Sequence, residues 1–284
     1  MPFLPNKPPG GSSDRRPPGA AGKRPAGASG NRAPGPRAAK PSLVIGRKPL
    51  LEALEAGKGM DRIFMQKGAT GEGIEEIRRL AATLQVPINT VPVEKLNGFT
   101  RANHQGVVAI AALITYMDLQ AVIDQTVERG ETPLFVMLDG VTDVRNIGAI
   151  ARSALCCGAQ ALVIPDKGVG ALNGEAMKSS AGALEKINVC RVGSLLKAVD
   201  TLHLNGIRVC TAEMNAPVRV FEVDWAVPTC VIMGNEENGV QHFLQKAADV
   251  RFTIPMAGGF DSFNVSVAAG IILYEALKHR LYAH

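Results

Sequence analysis

The first stretch that could do chemistry runs from Asn146 to Arg152, after the hydrophobic segment 134–138. Asn146 stands where a polar residue would cap the next helix, and Arg152 lies six residues further on between apolar neighbours. An arginine in an otherwise apolar helix needs an acidic partner or a ligand. The segment therefore predicts either an ordinary ion pair or a ligand contact at Arg152.

A second segment places a carboxylate between two glycines. The hydrophobic residues 231–233 run into Gly234, and Glu236 and Gly239 follow. Gly234 allows a backbone or a ligand to approach closely, while Glu236 is held at the end of a strand. Taken alone, the pattern is also typical of an ordinary strand–turn–helix junction.

The third segment, 252–266, is a glycine-containing loop that leads into Ser262 and Asn264. Both side chains can cap a helix or bond a ligand. The helix that follows is apolar nearly all round, so we expect it to be buried on several faces and to form an oligomer interface. Lys278 and Arg280 stand at its end, where positive charge suits the helix dipole.

Several other kinds of site are disfavoured by spacing. His104 has no second metal ligand at a useful distance, so we predict no metal. The glycines near 68–73 and 168–170 lack the rest of a phosphate-binding fingerprint, which argues against a nucleotide-dependent oxidoreductase. The five cysteines include no CxxC pair and are odd in number, which predicts reduced thiols and a cytoplasmic protein.

These segments need elements that bring them together. From 133 onward, hydrophobic strands alternate with helices, which predicts an α/β domain with a parallel sheet covered on both faces. The strands are expected at 134–138, 161–164, 208–212, 229–233 and 250–254. Ligands bind beyond the carboxyl ends of such strands. The loops after Leu138, Met233 and Ile254 are therefore the expected site.

The chain before 133 divides further. Residues 42–116 contain strand-like and helix-like segments that predict a smaller α/β domain, and 117–132 are expected to connect it to the second domain, 133–284. Residues 1–41 hold 17 Pro or Gly residues. They also hold eight of the 31 basic residues but one of the 26 acidic residues, so residues 42–284 carry a net charge of −2. We expect a disordered basic tail, which either attracts a polyanion or only aids solubility.

No segment is expected to cross a membrane. The longest uncharged apolar run, 106–117, is too short to span a bilayer and is typical of a buried strand.

Together the three segments resemble the motifs of the SpoU–TrmH family of RNA ribose 2′-O-methyltransferases. The segment 146–152 is similar to the first motif, 234–239 to the second and 254–266 to the third, while 178–183 fits the connecting stretch. The first unit is similar to the RNA-binding domain of the RlmB-type members, which methylate a guanosine in large-subunit ribosomal RNA. The resemblance covers residues 43–284.

The resemblance implies a fold, a cofactor and an assembly. The family's catalytic domain ends in a trefoil knot, a rare exception to unknotted topology, which holds S-adenosylmethionine and yields S-adenosylhomocysteine. Its members are homodimers with the active site near the interface. The implied donor-binding residues are Thr211, Ala212, Gly234, Ile254, Met256, Phe263 and Asn264, and the implied catalytic residues are Asn146, Arg152, Glu236, Ser262 and Asn264.

The implied reaction is an in-line displacement that must position a weakly acidic hydroxyl and remove its proton. With no His or Lys in the motifs, Arg152 is the expected electrostatic activator of the hydroxyl. Its intrinsic pKa of about 12.5–13.8 argues against a role as the base. Glu236 is expected to orient Asn146 or Arg152, and Ser262 and Asn264 to fix the donor or the ribose.

Two positions depart from the family pattern. Glu237 stands where glycine is common, which is expected to narrow the loop, and Phe263 stands where leucine is usual, which changes the volume of the donor pocket. Two alternatives stay open besides ribosomal RNA methylation. One is the same reaction on transfer RNA, and the other is an inactive RNA-binding ribosome-assembly factor.

Overall fold

The computed structural model describes residues 42–258 and 262–282, all of which belong to one compact unit. The basic tail predicted for 1–41 lies outside the described residues, as do residues 259–261 of the third motif.

A small mixed sheet comes first in the chain. Its strands lie in the order β1-β4-β2-β3, with only β2 and β3 parallel to each other. The helix between its second and third strands turns Ile74, Ile77 and Ala81 into the core of this unit, where all three are buried. The elements are β1 (Leu43–Ile45), α1 (Arg47–Glu55), β2 (Met60–Gln66), α2 (Glu72–Thr83), β3 (Ile88–Val91), α3 (Val93–Phe99) and β4 (Val107–Ala111).

A larger, fully parallel sheet holds the rest of the strands, which confirms the predicted fold class. Its order is β10-β12-β9-β11-β6-β7-β8-β5. The central strands are buried at every position, as expected of a sheet covered on both faces. The strands are β5 (Tyr116–Met117), β6 (Leu134–Leu138), β7 (Ala161–Pro165), β8 (Asn188–Val192), β9 (Arg208–Ala212), β10 (Val218–Arg219), β11 (Thr229–Met233) and β12 (Val250–Thr253).

Helices cover both faces of this sheet and form two apolar cores. One core includes residues of α5 and α9 with Trp225, whose indole packs edge-on against Phe252. The other includes residues of α4, α7 and α8. The helices are α4 (Leu119–Glu128), α5 (Val144–Cys156), α6 (Gly174–Ser179), α7 (Leu195–Leu204), α8 (His242–Ala247) and α9 (Val265–Tyr282), with 3₁₀ turns at Ala183–Glu185 and Val220–Glu222.

The strand β8 is absent from the sequence-based prediction, which left out residues 188–192. Its sequence breaks the hydrophobic pattern with Arg191, a buried residue that reaches out of the large sheet. The guanidinium donates to the backbone carbonyls of Asp61 at 2.7 Å and of Met60 and Gln85 at 3.2 Å. Arg191 thus joins the large sheet to the smaller one.

Tyr116 completes this junction. Its ring lies 3.8 Å under the Arg191 guanidinium, and its hydroxyl donates to Asp61 at 2.7 Å. Burial, with the nearby Asp61 carboxylate, raises the pKa of Tyr116 far above its usual value. The contacts fix the two sheets against each other through hydrogen bonds and a cation–π contact.

Arg280 lies in the last turn of α9, as predicted, and it also makes contacts outside the helix. Arg280 donates to carbonyls outside its own helix, those of Thr132, Pro133, Trp225 and Val227. Lys278 instead pairs with Glu275 on the same helix. Arg280 therefore anchors α9 near the amino ends of β6 and β11.

Candidate active site

Three side chains from the three motifs meet beyond the carboxyl ends of β6, β11 and β12. Asn264 donates through Nδ2 to Glu236 at 2.6 Å and to Asn146 Oδ1 at 3.2 Å. Asn146 in turn donates through its own Nδ2 to the same Glu236 oxygen at 3.1 Å. Residues up to 118 positions apart thus form one closed hydrogen-bonded cluster.

Asn146 does not cap helix α5, contrary to the sequence-based prediction. The helix begins at Val144, and Asp143 is its N-cap, accepting a hydrogen bond from the backbone amide of Arg145. Asn146 therefore lies within the first turn, and its amide is free to bond Glu236 and Asn264. The segment contains two residues suited to a cap, and the acidic one, nearer the strand, takes the role.

The loop between β11 and α8 is folded tightly enough to require glycine at its start. A Cβ at Gly234 would overlap the backbone of Gly239 and Val240, so the close approach predicted at Gly234 is to the chain itself. Asn235 closes the turn, because its side chain accepts the amides of Glu237 and Asn238 at 3.1 and 2.7 Å. This turn holds Glu236 at the strand end.

Asp139 supports the same loop from the neighbouring strand, a role that sequence reasoning missed. The residue follows β6 directly and is 1% exposed. Its carboxylate accepts the backbone amide of Gln241 at 2.7 Å and the Gln241 side chain. The available signal in the sequence was an acidic residue directly after a hydrophobic strand, since a carboxylate that is buried at such a position needs hydrogen-bond donors. Ser266, also missed, donates to Asn264 Oδ1 at 2.6 Å.

A cavity of about 410 Å³ lies beside the cluster. That volume falls within the range of small-molecule sites. Most of the residues implied to bind the donor line it, together with Glu236 and Ser262; they are Ala212, Gly234, Ile254, Met256 and Phe263.

Two of the residues implied to bind the methyl donor do not line the cavity. Thr211 is fully buried, and its hydroxyl donates to Glu213, which does line the cavity. Asn264 belongs to the hydrogen-bonded cluster at the cavity's edge. Thr211 therefore acts on the cavity through the position of Glu213.

The two departures from the family pattern both face this cavity. The backbone of Glu237 is outside the left-handed region, and its side chain is exposed. The turn therefore accepts a side chain at this position, where glycine is common. Phe263 is 40% exposed and forms part of the lining. Both side chains therefore shape the cavity without straining the loop.

Arg152 lies away from the cluster. It is exposed on α5 and makes no hydrogen bond or ion pair with any described residue, so the ordinary ion pair left open by the sequence is absent there. Arg152 lies six positions after Asn146 on the same helix, which places it about 9 Å along the helix axis and about 120° around it. The structure thus brings together Asn146, Glu236 and Asn264, but not Arg152.

In residues 42–258 and 262–282, no group of three His, Cys, Asp or Glu side chains is arranged to hold a metal ion. Over the same ranges, no helix has the length and hydropathy to span a bilayer.

Comparison with protein families finds two matches that together cover most of the chain. Residues 133–274 match the SpoU rRNA Methylase family, and residues 43–117 match the RNA 2′-O ribose methyltransferase substrate binding family. The first match contains Asn146, Glu236 and Asn264, and the second contains the small mixed sheet.

Individual proteins agree with these matches. A Staphylococcus saprophyticus protein named as a TrmH family tRNA/rRNA methyltransferase is 31% identical over 84% of this chain and 96% of its own. The SpoU methyltransferase AviRb from Streptomyces viridochromogenes, solved with S-adenosylmethionine, has a TM-score of 0.55 at 26% identity, over 84% of this chain and 90% of its own.

A further structure supports the fold alone. The rRNA methyltransferase from Sinorhizobium meliloti has a TM-score of 0.53 at 24% identity, over 84% of this chain and 87% of its own. The family matches, the curated relative and the fold agree with the resemblance carried by the three motifs. The chain belongs to the SpoU/TrmH family of S-adenosylmethionine-dependent RNA methyltransferases.

Proposed function

We propose that this protein methylates the ribose 2′-hydroxyl of a guanosine in large-subunit ribosomal RNA. The observation that carries the proposal is the cluster of Asn146, Glu236 and Asn264 at the edge of the 410 Å³ cavity. A preorganised set of polar groups beside a small-molecule cavity is what an enzyme needs to position a hydroxyl for methyl transfer.

The lining of the cavity suits the methyl donor in its polarity and charge. Ile254, Met256 and Phe263 offer apolar surface, while Glu213, Glu236 and Glu237 place three carboxylates around the same space. S-adenosylmethionine supplies an activated methyl group on a positively charged sulfur. Carboxylates favour that charge, and the tight backbone turn at Gly234 offers main-chain groups to the adenosine part.

The cluster would orient the hydroxyl that is methylated. The amides of Asn146 and Asn264 both donate to Oε1 of Glu236, so that oxygen is engaged. The other carboxylate oxygen makes no hydrogen bond to a described residue, so it can accept one from the ribose hydroxyl. Ser262, which lines the cavity, would fix the ribose or the donor.

Arg152 would act across a homodimer. Helix α9 carries an exposed apolar stripe at seven-residue spacing, formed by Val267, Tyr274 and Leu281. Ser153, the residue after Arg152, lies near Gly270 on α9. A second copy packed on this stripe would lie beside Arg152, whose guanidinium could stabilise the developing alkoxide of the partner's substrate. A preorganised hydrogen-bond donor of this kind lowers the activation free energy by about 3–4 kcal/mol.

A trefoil knot is part of the proposal. Strand β12 lies on the far side of β9 from β11, yet Asn264, eleven residues after its end, bonds Asn146 and Glu236. Asn264 therefore lies beyond the carboxyl ends of β6 and β11, across β9 from β12. Loops that cross these ends are the arrangement a knot requires, and they would build the donor site.

The choice of ribosomal RNA depends on the first sheet. Residues 43–117 match a substrate-binding family for RNA methyltransferases, and the chain outside 1–41 has a net charge of −2. A nearly neutral body favours recognition of structured RNA by shape. Transfer RNA is the alternative substrate, since the curated relatives are named for both RNAs.

We also propose a cytoplasmic location and the domain limits given by the sequence, 42–116, 117–132 and 133–284. All five cysteines are free, as expected of a reducing compartment. Within 117–132, helix α4 buries Leu119, Val122 and Ile123 in the same core as α7 and α8.

Methyl transfer with mapping of the product tests the proposal. Purified protein is mixed with tritiated S-adenosylmethionine and unmodified ribosomal or transfer RNA, and the labelled nucleotide is identified. Label at one guanosine ribose of large-subunit RNA is expected. Label on transfer RNA alone would contradict the proposal that ribosomal RNA is the substrate. RNA binding without any label would support the alternative of an inactive assembly factor.

A further inference from the structure

Three cavities follow the carboxyl edge of the large sheet as far as the junction of the two sheets. The first is the 410 Å³ cavity. A second cavity of about 340 Å³ is lined by residues that follow β6, β7 and β8, and its lining includes Gln241, the next residue in sequence after Val240 of the first cavity. A third, of about 710 Å³, shares Asp166, Lys167 and Gly193 with the second and extends to α2 of the smaller sheet. We call the second and third cavities the strand-end groove.

The floor of the strand-end groove is open backbone. Gly168 follows β7 and Gly193 follows β8, and a Cβ at either position would meet no atom within 4 Å. Glycine at such positions lets a ligand lie against the main chain. Adjacent strands are about 4.8 Å apart, so the path from β11 to β8 is about 14 Å long.

The side chains along the groove are those that bind a nucleic acid strand. Phe243 lines the second cavity, and its phenyl ring is 45% exposed. Lys167, Lys197 and Arg78 are exposed around the wider end, and none forms an ion pair with a described residue. Bases stack on such rings and phosphates pair with such cations.

Opposing charge is limited in this lining. Asp139 is buried and bonded to Gln241, and Asp118 accepts the amide of Ala121 at the start of α4. Asp166 is the remaining carboxylate. The lining is therefore suited to a polyanion more than to an acidic or apolar peptide.

The wall of the groove is already in place. Arg191 lines the wide end while it donates to the carbonyls of Met60, Asp61 and Gln85. Because these bonds fix one sheet against the other, the groove needs no closure to form. Preorganisation of this kind lowers the cost of binding.

We propose that the strand-end groove binds a single-stranded segment of the substrate RNA next to the methylated nucleotide. One base stacks on Phe243, and the phosphates that follow pair with Lys167, Lys197 and Arg78. The proposal rests on the proposed function for the identity of the RNA. It assigns to the catalytic half of the chain a share of RNA recognition that the substrate-binding match, residues 43–117, does not include.

Binding of the full chain to an unmodified large-subunit ribosomal RNA transcript, without S-adenosylmethionine, tests the groove. The variant Phe243→Ala is expected to weaken binding about 5- to 150-fold. The double variant Lys167→Gln/Lys197→Gln is expected to reduce the salt slope of log K by about 1.4, the value for two phosphate contacts to a single strand.

Matched controls change the same residue types elsewhere. Phe221→Ala removes a phenyl ring that is 48% exposed outside the groove, and Lys58→Gln/Lys186→Gln removes two cations that line a separate cavity. These variants should bind as the unaltered chain does. Thermal melting of every variant confirms that its fold is intact.

The outcomes separate the groove from the proposed function. If the groove variants bind RNA with unaltered affinity and salt slope, or no more weakly than the controls, the groove proposal is wrong. If they bind weakly but the unaltered chain methylates no ribosomal RNA, the groove stands and the proposed substrate or reaction fails. Repeating the measurement with transfer RNA shows which RNA the groove prefers.

Discussion

Asn264 Nδ2 donates to Glu236 Oε1 at 2.6 Å, so that the loop after β12 is bonded to the loop after β11 at the edge of the 410 Å³ cavity. Asn146 bonds both residues and adds the start of α5. Because the three come from separate segments, the cluster forms only when the carboxyl edge of the sheet is fully assembled. It is therefore a direct link between the fold and the reaction.

The charge on Glu236 is expected to be essential for turnover. Glu236→Gln keeps the shape of the side chain but removes the charged acceptor shared by Asn146 and Asn264. We expect turnover under single-turnover conditions to fall about 10²- to 10³-fold, with S-adenosylmethionine binding changed much less. Glu128→Gln, which changes an exposed glutamate of α4 outside the cavity, is the control, and an equal loss in both variants would contradict a specific role for Glu236.

Gly234→Ala is expected to destabilise the protein and reduce donor binding. The new methyl group would overlap the backbone of Gly239 and Val240, which cannot move aside without opening the turn. We expect a loss of about 1–3 kcal/mol in the free energy of unfolding, measured by urea denaturation. At Gly98, where a Cβ meets no atom within 4 Å, the same change should cost less, and equal losses would argue against the tight turn.

Arg191→Ala is expected to loosen the junction of the two sheets. The change leaves three backbone carbonyls without their charged donor and removes the cation over Tyr116. Hydrogen bonds from a charged group contribute about 1.5–3 kcal/mol to stability. We expect the free energy of unfolding, measured by calorimetry, to fall by an amount of that size.

Arg79→Ala is the control for this prediction. Arg79 makes only a surface pair with Glu76, and such pairs contribute little, so its melting temperature should stay unchanged. If Arg191→Ala melted as the unaltered protein does, the contacts at the junction would not hold the sheets together.

The homodimer proposal predicts that two inactive variants can complement each other. Arg152→Ala and Glu236→Gln are each expected to be inactive alone. When they are mixed and allowed to exchange subunits, some sites would combine Arg152 from one copy with Glu236 from the other, and turnover should reappear. No recovery, despite subunit exchange seen by differently tagged chains, would place Arg152 outside the partner's site.

The architecture was largely predictable because the parallel strands are continuous hydrophobic runs. Strands β6 and β11, buried at every position, were placed by the sequence with their observed limits. Strand β8 was missed because Arg191 interrupts its hydrophobic pattern. That arginine is buried by contacts with residues about 106–131 positions away, and no local pattern reveals such partners.

The site was predictable in its members more than in its geometry. The motifs supplied Asn146, Glu236 and Asn264, but their mutual hydrogen bonds depend on how loops from three strands converge. The sequence offers two suitable helix caps three positions apart, and the structure uses Asp143 rather than Asn146. The support that Asp139 gives to the loop likewise depends on the neighbouring strands β6 and β11.

The position of the transferred methyl group tests the account most directly. RNA labelled by the unaltered protein from tritiated S-adenosylmethionine is hydrolysed with alkali, which cuts beside every free 2′-hydroxyl. The account predicts that the label stays in an uncut dinucleotide whose first nucleoside is guanosine. Label released in a mononucleotide would place the methyl group on a base and contradict ribose methylation at this site.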